Sequence, residues 1–192
     1  MLRYLPRLVP PGTSPTDALV LPLIDAPPTS PLGEHTLIPE IAWMVEAEGG
    51  FVHVPAGERD QLETMRGSAI LTMLDGELAN EPLDHVPGAF ASTGAYAAEL
   101  LLDRDHLTQL HAILGVGAYL AGAPRRGRFL FGGVRSGLDG MRAFVAHVRR
   151  EHDAAPAADR ISPVALLVRG GAPTAIVGDL QLAALAQAGR GD

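Results

Sequence analysis

The seven histidines of this 192-residue chain are the first place to look for chemistry, because neutral imidazole is a common metal ligand and titrates near neutral pH. Their spacing works against convergence. His106 and His111 fall on one expected helix and His147 and His152 on another, and a five-residue step turns a helix by about 140°, whereas two ligands on one face need a step of three or four. Asp103 and His106 do stand three apart, close enough for a carboxylate to orient an imidazole, but an Asp at a helix start is already explained as an N-cap. His53 reads as a mid-strand residue and His85 as a loop residue beside Asp84. For nucleophilic chemistry, Gly133-Val-Arg-Ser-Gly137 comes nearest to the Gly-x-Ser-x-Gly elbow and sets Ser136 where a strand meets a helix. The glycine required two residues before the serine is missing, so Ser136 reads better as a helix cap. Gly115-Val-Gly117 has Leu120 in place of a third glycine and runs from helix to strand, the reverse of a dinucleotide-binding loop.

What remains is charge. Arg125, Arg126 and Arg128 crowd one turn, Arg135 follows the next strand, and Arg142, Arg149 and Arg150 lie on the helix after it. The planar guanidinium fork binds carboxylate or phosphate through two parallel hydrogen bonds, so this patch could hold a small anion or an acidic segment of a partner. A solvated face that keeps a hairpin soluble is the competing explanation.

Composition removes several classes of chemistry. With no cysteine there is no disulfide, thiolate nucleophile or Cys-held zinc or iron–sulfur cluster. All 15 basic residues are arginine, so Schiff-base lysines and the phosphate-binding lysines of P-loop proteins and kinases are absent too. The net charge of −7 repels polyanions, which argues against general binding of nucleic acid. No run reaches the roughly 18 apolar residues of a membrane span, and Met1 to Pro10 lacks the unbroken apolar stretch of a secretory signal, so a cytoplasmic protein without a membrane segment is expected. No cofactor and no metal is expected.

The elements that must carry these residues can be read from turns and periodicity. Half of the 16 prolines precede residue 32, which predicts an extended, proline-rich N-terminal arm over residues 1–35. Within it Ala18 to Asp25 reads as a strand that Pro22 confines to an edge. Thr36 to Glu48 and Phe51 to Val54 flank Gly49-Gly50 as a hairpin. Helices are expected over 58–66 and 68–78, with Pro82 and Pro87-Gly88 marking a connection. Glu99 to Leu102 is strand-like, and a helix opened by Asp103 ends at Gly115. Val116 to Ala121 and Arg128 to Phe131 form a hairpin around Pro124 to Gly127. Leu138 to Glu151 is an amphipathic helix, Ile161 to Arg169 and Thr174 to Val177 form a last hairpin around Gly170-Gly171, and Leu180 to Gln187 is a short helix. Together they predict an α+β fold, a mostly antiparallel sheet built from hairpins and covered by amphipathic helices, with one domain over residues 36–188 and a frayed tail over 189–192.

Three stretches, Tyr96-Ala-Ala-Glu-Leu-Leu-Leu-Asp-Arg-Asp-His-Leu107, Pro124-Arg-Arg-Gly-Arg-Phe-Leu130 and Ile161-Ser-Pro163, resemble the YtpQ-like family of uncharacterised bacterial proteins. The order of elements agrees, and the hairpin from Ala42 to Val54 followed by helical Gln61 to Leu74 loosely extends the likeness back to about residue 36. The resemblance implies a compact bacterial α+β protein and brings no functional residues.

The function expected from the residues is a non-catalytic binding or interaction module. It would meet a protein partner or a second copy of itself through an edge strand or the N-terminal arm, with Arg125, Arg126, Arg128 and Arg135 as the binding residues. One alternative is a small hydrolase-like enzyme using Asp103, His106 and Ser136. Another is a binder of a small phosphorylated ligand at the arginines.

Overall fold

A computed structural model describes residues 4–24, 37–48, 50–58, 62, 79–178, 182 and 185. Two antiparallel sheets form an α+β architecture. The smaller is organised around β3 (Glu40–Ala47), which pairs on one side with β1 (Tyr4–Val9) and on the other with β2 (Val20–Pro22) and then β4 (Gly50–His53). Strand β2 replaces β4 beside β3 at Trp43: Val54 N–H donates to the Trp43 carbonyl at 2.9 Å, and Trp43 N–H donates to the Leu19 carbonyl at 3.1 Å. The larger sheet has the order β10-β9-β7-β8-β6-β5, built from β5 (Ala79–Pro82), β6 (Ala89–Thr93), β7 (Tyr119–Gly122), β8 (Arg128–Gly132), β9 (Leu166–Arg169) and β10 (Ala172–Ile176).

Side chains alternate across the large sheet as strand geometry requires. Tyr119, Ala121, Phe129, Phe131, Leu166 and Val168 point to one face, where they share a core with Leu8, Ile41 and Trp43 of the small sheet. Leu120, Leu130 and Leu167 point to the other and meet Met141, Phe144 and Val148 of helix α2 (Gly137–Ala154). Between the sheets runs a buried 3-10 segment, Ala97–Leu102, followed at once by α1 (Arg104–Leu114). Asp103 joins the two: its side chain accepts from the backbone of Asp105 at 3.0 Å and His106 at 3.1 Å, the N-cap expected from sequence. Gly115, at φ 64°, ends α1 in the left-handed conformation that a Cβ disfavours.

Two expectations need correcting. Glu99 to Leu102 is not a strand; its backbone closes three-residue turns, Glu99 N–H to Tyr96 carbonyl and Asp103 N–H to Leu100 carbonyl, both at 3.1 Å. A short, continuous apolar run buried on all sides has no periodicity to separate the two states. The stretch around Pro82 and Pro87-Gly88 is not a bare connection, since β5 and β6 flank it and pair in register. In the N-terminal stretch, β1 pairs with β3 over its full length, with Pro6 opposite Trp43. The helices expected over 58–66, 68–78 and 180–187 fall outside the described residues, apart from Glu58, which ends a 3-10 turn begun at Ala56, and buried Leu62, Leu182 and Leu185.

Candidate functional site

The turn between β7 and β8 carries the arginines singled out from sequence, and its backbone is fixed from three sides. Arg128 N–H donates to the Arg125 carbonyl at 3.2 Å, Arg126 N–H to the Asp159 carbonyl at 2.8 Å, and Gly94 N–H to the Gly127 carbonyl at 3.3 Å. Gly127 sits at φ 69°, where a side chain would be strained and its Cβ would approach the Gly94 carbonyl oxygen to 3.0 Å. The guanidinium groups therefore project from a rigid frame.

Their surroundings differ sharply. Arg128 lies on the α2 face of the sheet, where Nη1 meets Glu81 at 2.5 Å and Nε meets both oxygens of Glu151 at 3.2 Å. Burial disfavours its cation, but hydrogen bonds to Glu81 and Glu151 outweigh that and hold its pKa above the ordinary value. Glu151 also contacts His147 Nε2 at 3.0 Å, while Arg150 reaches His147 Nδ1 at 3.1 Å. Arg125, 40% exposed, touches the same Glu151 only at 3.7 Å. Arg135 leaves the patch: its Nη2 donates to the Gly115 carbonyl at the end of α1. The four arginines are thus two neutralised or tied groups, one loosely paired group, and Arg126.

Arg126 is half-buried, and among the described residues its side chain makes no hydrogen bond or ion pair. Burial lowers its pKa, the nearby Arg7 cation lowers it further, and Glu99 and Asp159 pull the other way. Arg7 and Glu99 form a buried pair that sequence reasoning missed, with Nε to Oε1 at 2.6 Å and side-chain exposures of 6% and 1%. The Arg7 guanidinium lies over two rings, 4.8 Å from the centroid of Phe51 and 4.9 Å from that of Tyr96. The available signal was a lone carboxylate inside the apolar run Ala97 to Leu102 and a lone arginine inside Tyr4 to Val9.

The hydrolase candidates do not meet. Asp103 spends its carboxylate on the α1 N-cap, and the His106 ring packs edge-on against Phe129 at 6.2 Å with Nε2 buried and unpartnered. Burial lowers the His106 pKa, with Asp103 opposing. Ser136 stands before α2 and its hydroxyl donates back to the Gly133 carbonyl, so it does not cap the helix through its side chain. His111 leans on Tyr119 at 4.8 Å; its Nδ1 donates to the Val116 carbonyl at 3.1 Å, which leaves Nε2 to accept from Gly171 N–H at 3.5 Å. Both α1 histidines face the sheet but settle on different aromatic residues. Among the described residues no three His, Asp or Glu side chains are grouped to hold a metal ion.

A groove of about 620 Å³ runs between Val20–Ile24 and Ile38–Glu40. Among the described residues its lining side chains are apolar apart from Glu40, whose carboxylate already accepts from Gly12 N–H at 3.1 Å. Among the described residues no helix is long and apolar enough to cross a membrane. Comparison of the chain with known proteins finds no matching family model, no matching curated protein and no matching solved structure.

Proposed function

We propose that this chain is a non-catalytic cytoplasmic interaction module that receives an acidic group of a partner at the β7–β8 turn. The observation that carries this reading is Arg126, a half-buried cation held in a fixed turn with no carboxylate bonded to it among the described residues, next to Arg125, whose Glu151 partner is already shared with Arg128 and His147. A carboxylate or phosphate brought there would gain hydrogen bonds that these guanidinium groups do not make among the described residues. The enzyme reading has less support, because Asp103, His106 and Ser136 each serve other contacts. Membership of the YtpQ-like family, on the likeness of Tyr96–Leu107, Pro124–Leu130 and Ile161–Pro163, is part of the same proposal and adds no activity to it.

The test uses a fluorescein-labelled hexaglutamate peptide at low salt, where surface charge is least screened. Wild-type protein is expected to bind it, and Arg125→Ala/Arg126→Ala to bind at least about tenfold more weakly, a loss of roughly 1.4 kcal/mol. Stabilisation by phosphate compounds in a thermal-shift screen, lost in the same variant, would redirect the reading to a small anionic ligand. Absence of both responses would reject it.

A further inference from the structure

A second surface, unrelated to the arginine turn, lies along β4. Val54 N–H bonds to the Trp43 carbonyl while Trp43 N–H turns to the Leu19 carbonyl, so Trp43 and Val54 occupy a hydrogen-bonding position of the ladder with one of its two bonds made. Alternation along an antiparallel ladder makes Val45/Val52 and Ala47/Gly50 the next such pairs. The N–H and C=O groups of Phe51 and His53 consequently point away from β3, and they have no hydrogen-bond partner among the described residues. Beside these backbone groups stand Phe51, 40% exposed, and Val52, 59% exposed.

Among the described residues, other strand edges are blunted. Strand β5 carries Glu81 and Pro82, β10 has Pro173 and an irregular register whose Thr174 hydroxyl turns inward to the Leu167 carbonyl, and β1 has Pro6 with the 3-10 segment packed beside it. Proline, charge and irregularity are the usual means by which an edge is kept from pairing. Strand β4 has none of them in its four residues.

Charge decides what fits there. Exposed Glu48 flanks one end of β4; exposed Asp17 lies beyond the other, across Ala56, whose N–H donates to the Asp17 carbonyl at 2.9 Å. Among the described residues, the Arg7 guanidinium beside the Phe51 ring is already matched by Glu99. A second copy pairing about a two-fold axis would set Phe51 against His53 of that copy, since these residues own the outward groups, and would then bring Glu48 beside Ala56 and Asp17 of the other chain. Carboxylates would approach each other across Ala56 at both ends, which disfavours self-pairing.

We propose that the outer edge of β4 accepts an extended, basic segment of a partner protein as an added strand. Main-chain bonds to Phe51 and His53 would hold the strand, apolar side chains would lie against Phe51 and Val52, and arginine or lysine at its ends would face Glu48 and Asp17. This does not rest on the β7–β8 turn, whose charge preference is the opposite.

The probe is a fluorescein-labelled peptide, Arg-Thr-Val-Thr-Val-Thr-Arg, measured by anisotropy against the same core ending in glutamate. The arginine form should bind at least about tenfold tighter, as complementary charge requires. Phe51→Pro removes one outward donor without removing a bond to β3 and should weaken binding at least about tenfold. Val52→Arg leaves the ladder intact, repels the probe and should do likewise, and circular dichroism verifies that each variant is folded. Should Phe51→Pro fail to fold, Val52→Arg and Glu48→Gln decide the matter. Equal binding of the two peptides, no binding at about 1 mM, or full binding by folded Val52→Arg overturns the proposal. So does sedimentation showing a wild-type dimer that Val52→Arg dissociates, which would assign the edge to a second copy.

Discussion

Replacing Glu99 by glutamine keeps the shape of the side chain and removes the one carboxylate bonded to Arg7 among the described residues. The two groups are 6% and 1% exposed, so water does little to compensate for the lost charge. Unit charges about 4 Å apart attract by about 4 kcal/mol at an effective dielectric constant near 20. The amide oxygen can still accept from Arg7 Nε, which returns about 1 kcal/mol. The Phe51 and Tyr96 rings keep their places over the guanidinium, while the Arg126 cation nearby now faces it with less opposition. The expected cost is about 3 kcal/mol, near the lower limit for removing one member of a buried pair. That corresponds to roughly 6–12 °C in melting temperature for a chain of this size. Urea unfolding followed by far-UV circular dichroism measures it, provided the denaturant slope is unchanged. The double variant Arg7→Met/Glu99→Met removes both buried charges and should be more stable than Glu99→Gln alone, a coupling that a cycle of single and double variants isolates. A Glu99→Gln chain within about 0.5 kcal/mol of wild type, or strict additivity, would falsify the view that this pair is desolvated and joins β1 to the segment between the sheets.

Three further outcomes follow from local geometry. Tyr119→Phe removes the buried hydroxyl that donates to the Leu107 carbonyl at 3.0 Å, and should lower unfolding free energy by about 1 kcal/mol in a urea titration. Gly127→Ala places a Cβ at positive φ and against the Gly94 carbonyl, and should cost about 1–2 kcal/mol by the same measurement, more than Gly12→Ala, where φ is 68° but the space is open. Burial lowers the His106 pKa below 6.5, so in acid the unfolded chain takes up a proton that the folded chain refuses. The His106 contribution is complete above about pH 6.5 and declines as pH falls below it, levelling only once the folded pKa is passed, with a slope of at most about 1.4 kcal/mol per pH unit for one proton. Urea midpoints between pH 7.5 and 5.5 should fall less steeply in His106→Leu than in wild type; parallel curves would reject the assignment.

The parts of the fold that were legible in the sequence are those where one residue type dictates the backbone. The β9–β10 hairpin turns at Gly170 and Gly171, at φ 57° and 75°, and α1 runs between its Asp103 cap and Gly115 as the pattern indicated. Strands β1, β5 and β6 were not legible. Pro6 argued for an arm, yet a proline is tolerated on an edge strand, and β1 is one. Ala79-Asn-Glu-Pro82 and Ala89-Phe-Ala-Ser-Thr93 have little intrinsic preference for strands and are held by pairing, β6 to β8 and β5 to β6. The arginine turn was found from composition, but its charge balance was not, because Arg128 is matched by Glu81, 47 residues away in sequence, and Glu151, 23 away. Such partners become neighbours only once the sheet has formed. The open edge of β4 is of the same kind, since which backbone groups face outward follows from the Trp43–Val54 bond and from no residue of β4 itself.

Trp43, the single tryptophan, sits fully buried in β3, while both α1 and α2 pack on the larger sheet. Nature has therefore given the molecule separate optical labels: indole fluorescence reports the small sheet, and the ellipticity of α1 and α2 is weighted towards the large one. Superimposable denaturation curves from these two signals would mean that the core shared by Trp43, Phe129 and Tyr119 makes the sheets melt as one unit, whereas an earlier indole transition would reveal a small sheet able to open by itself.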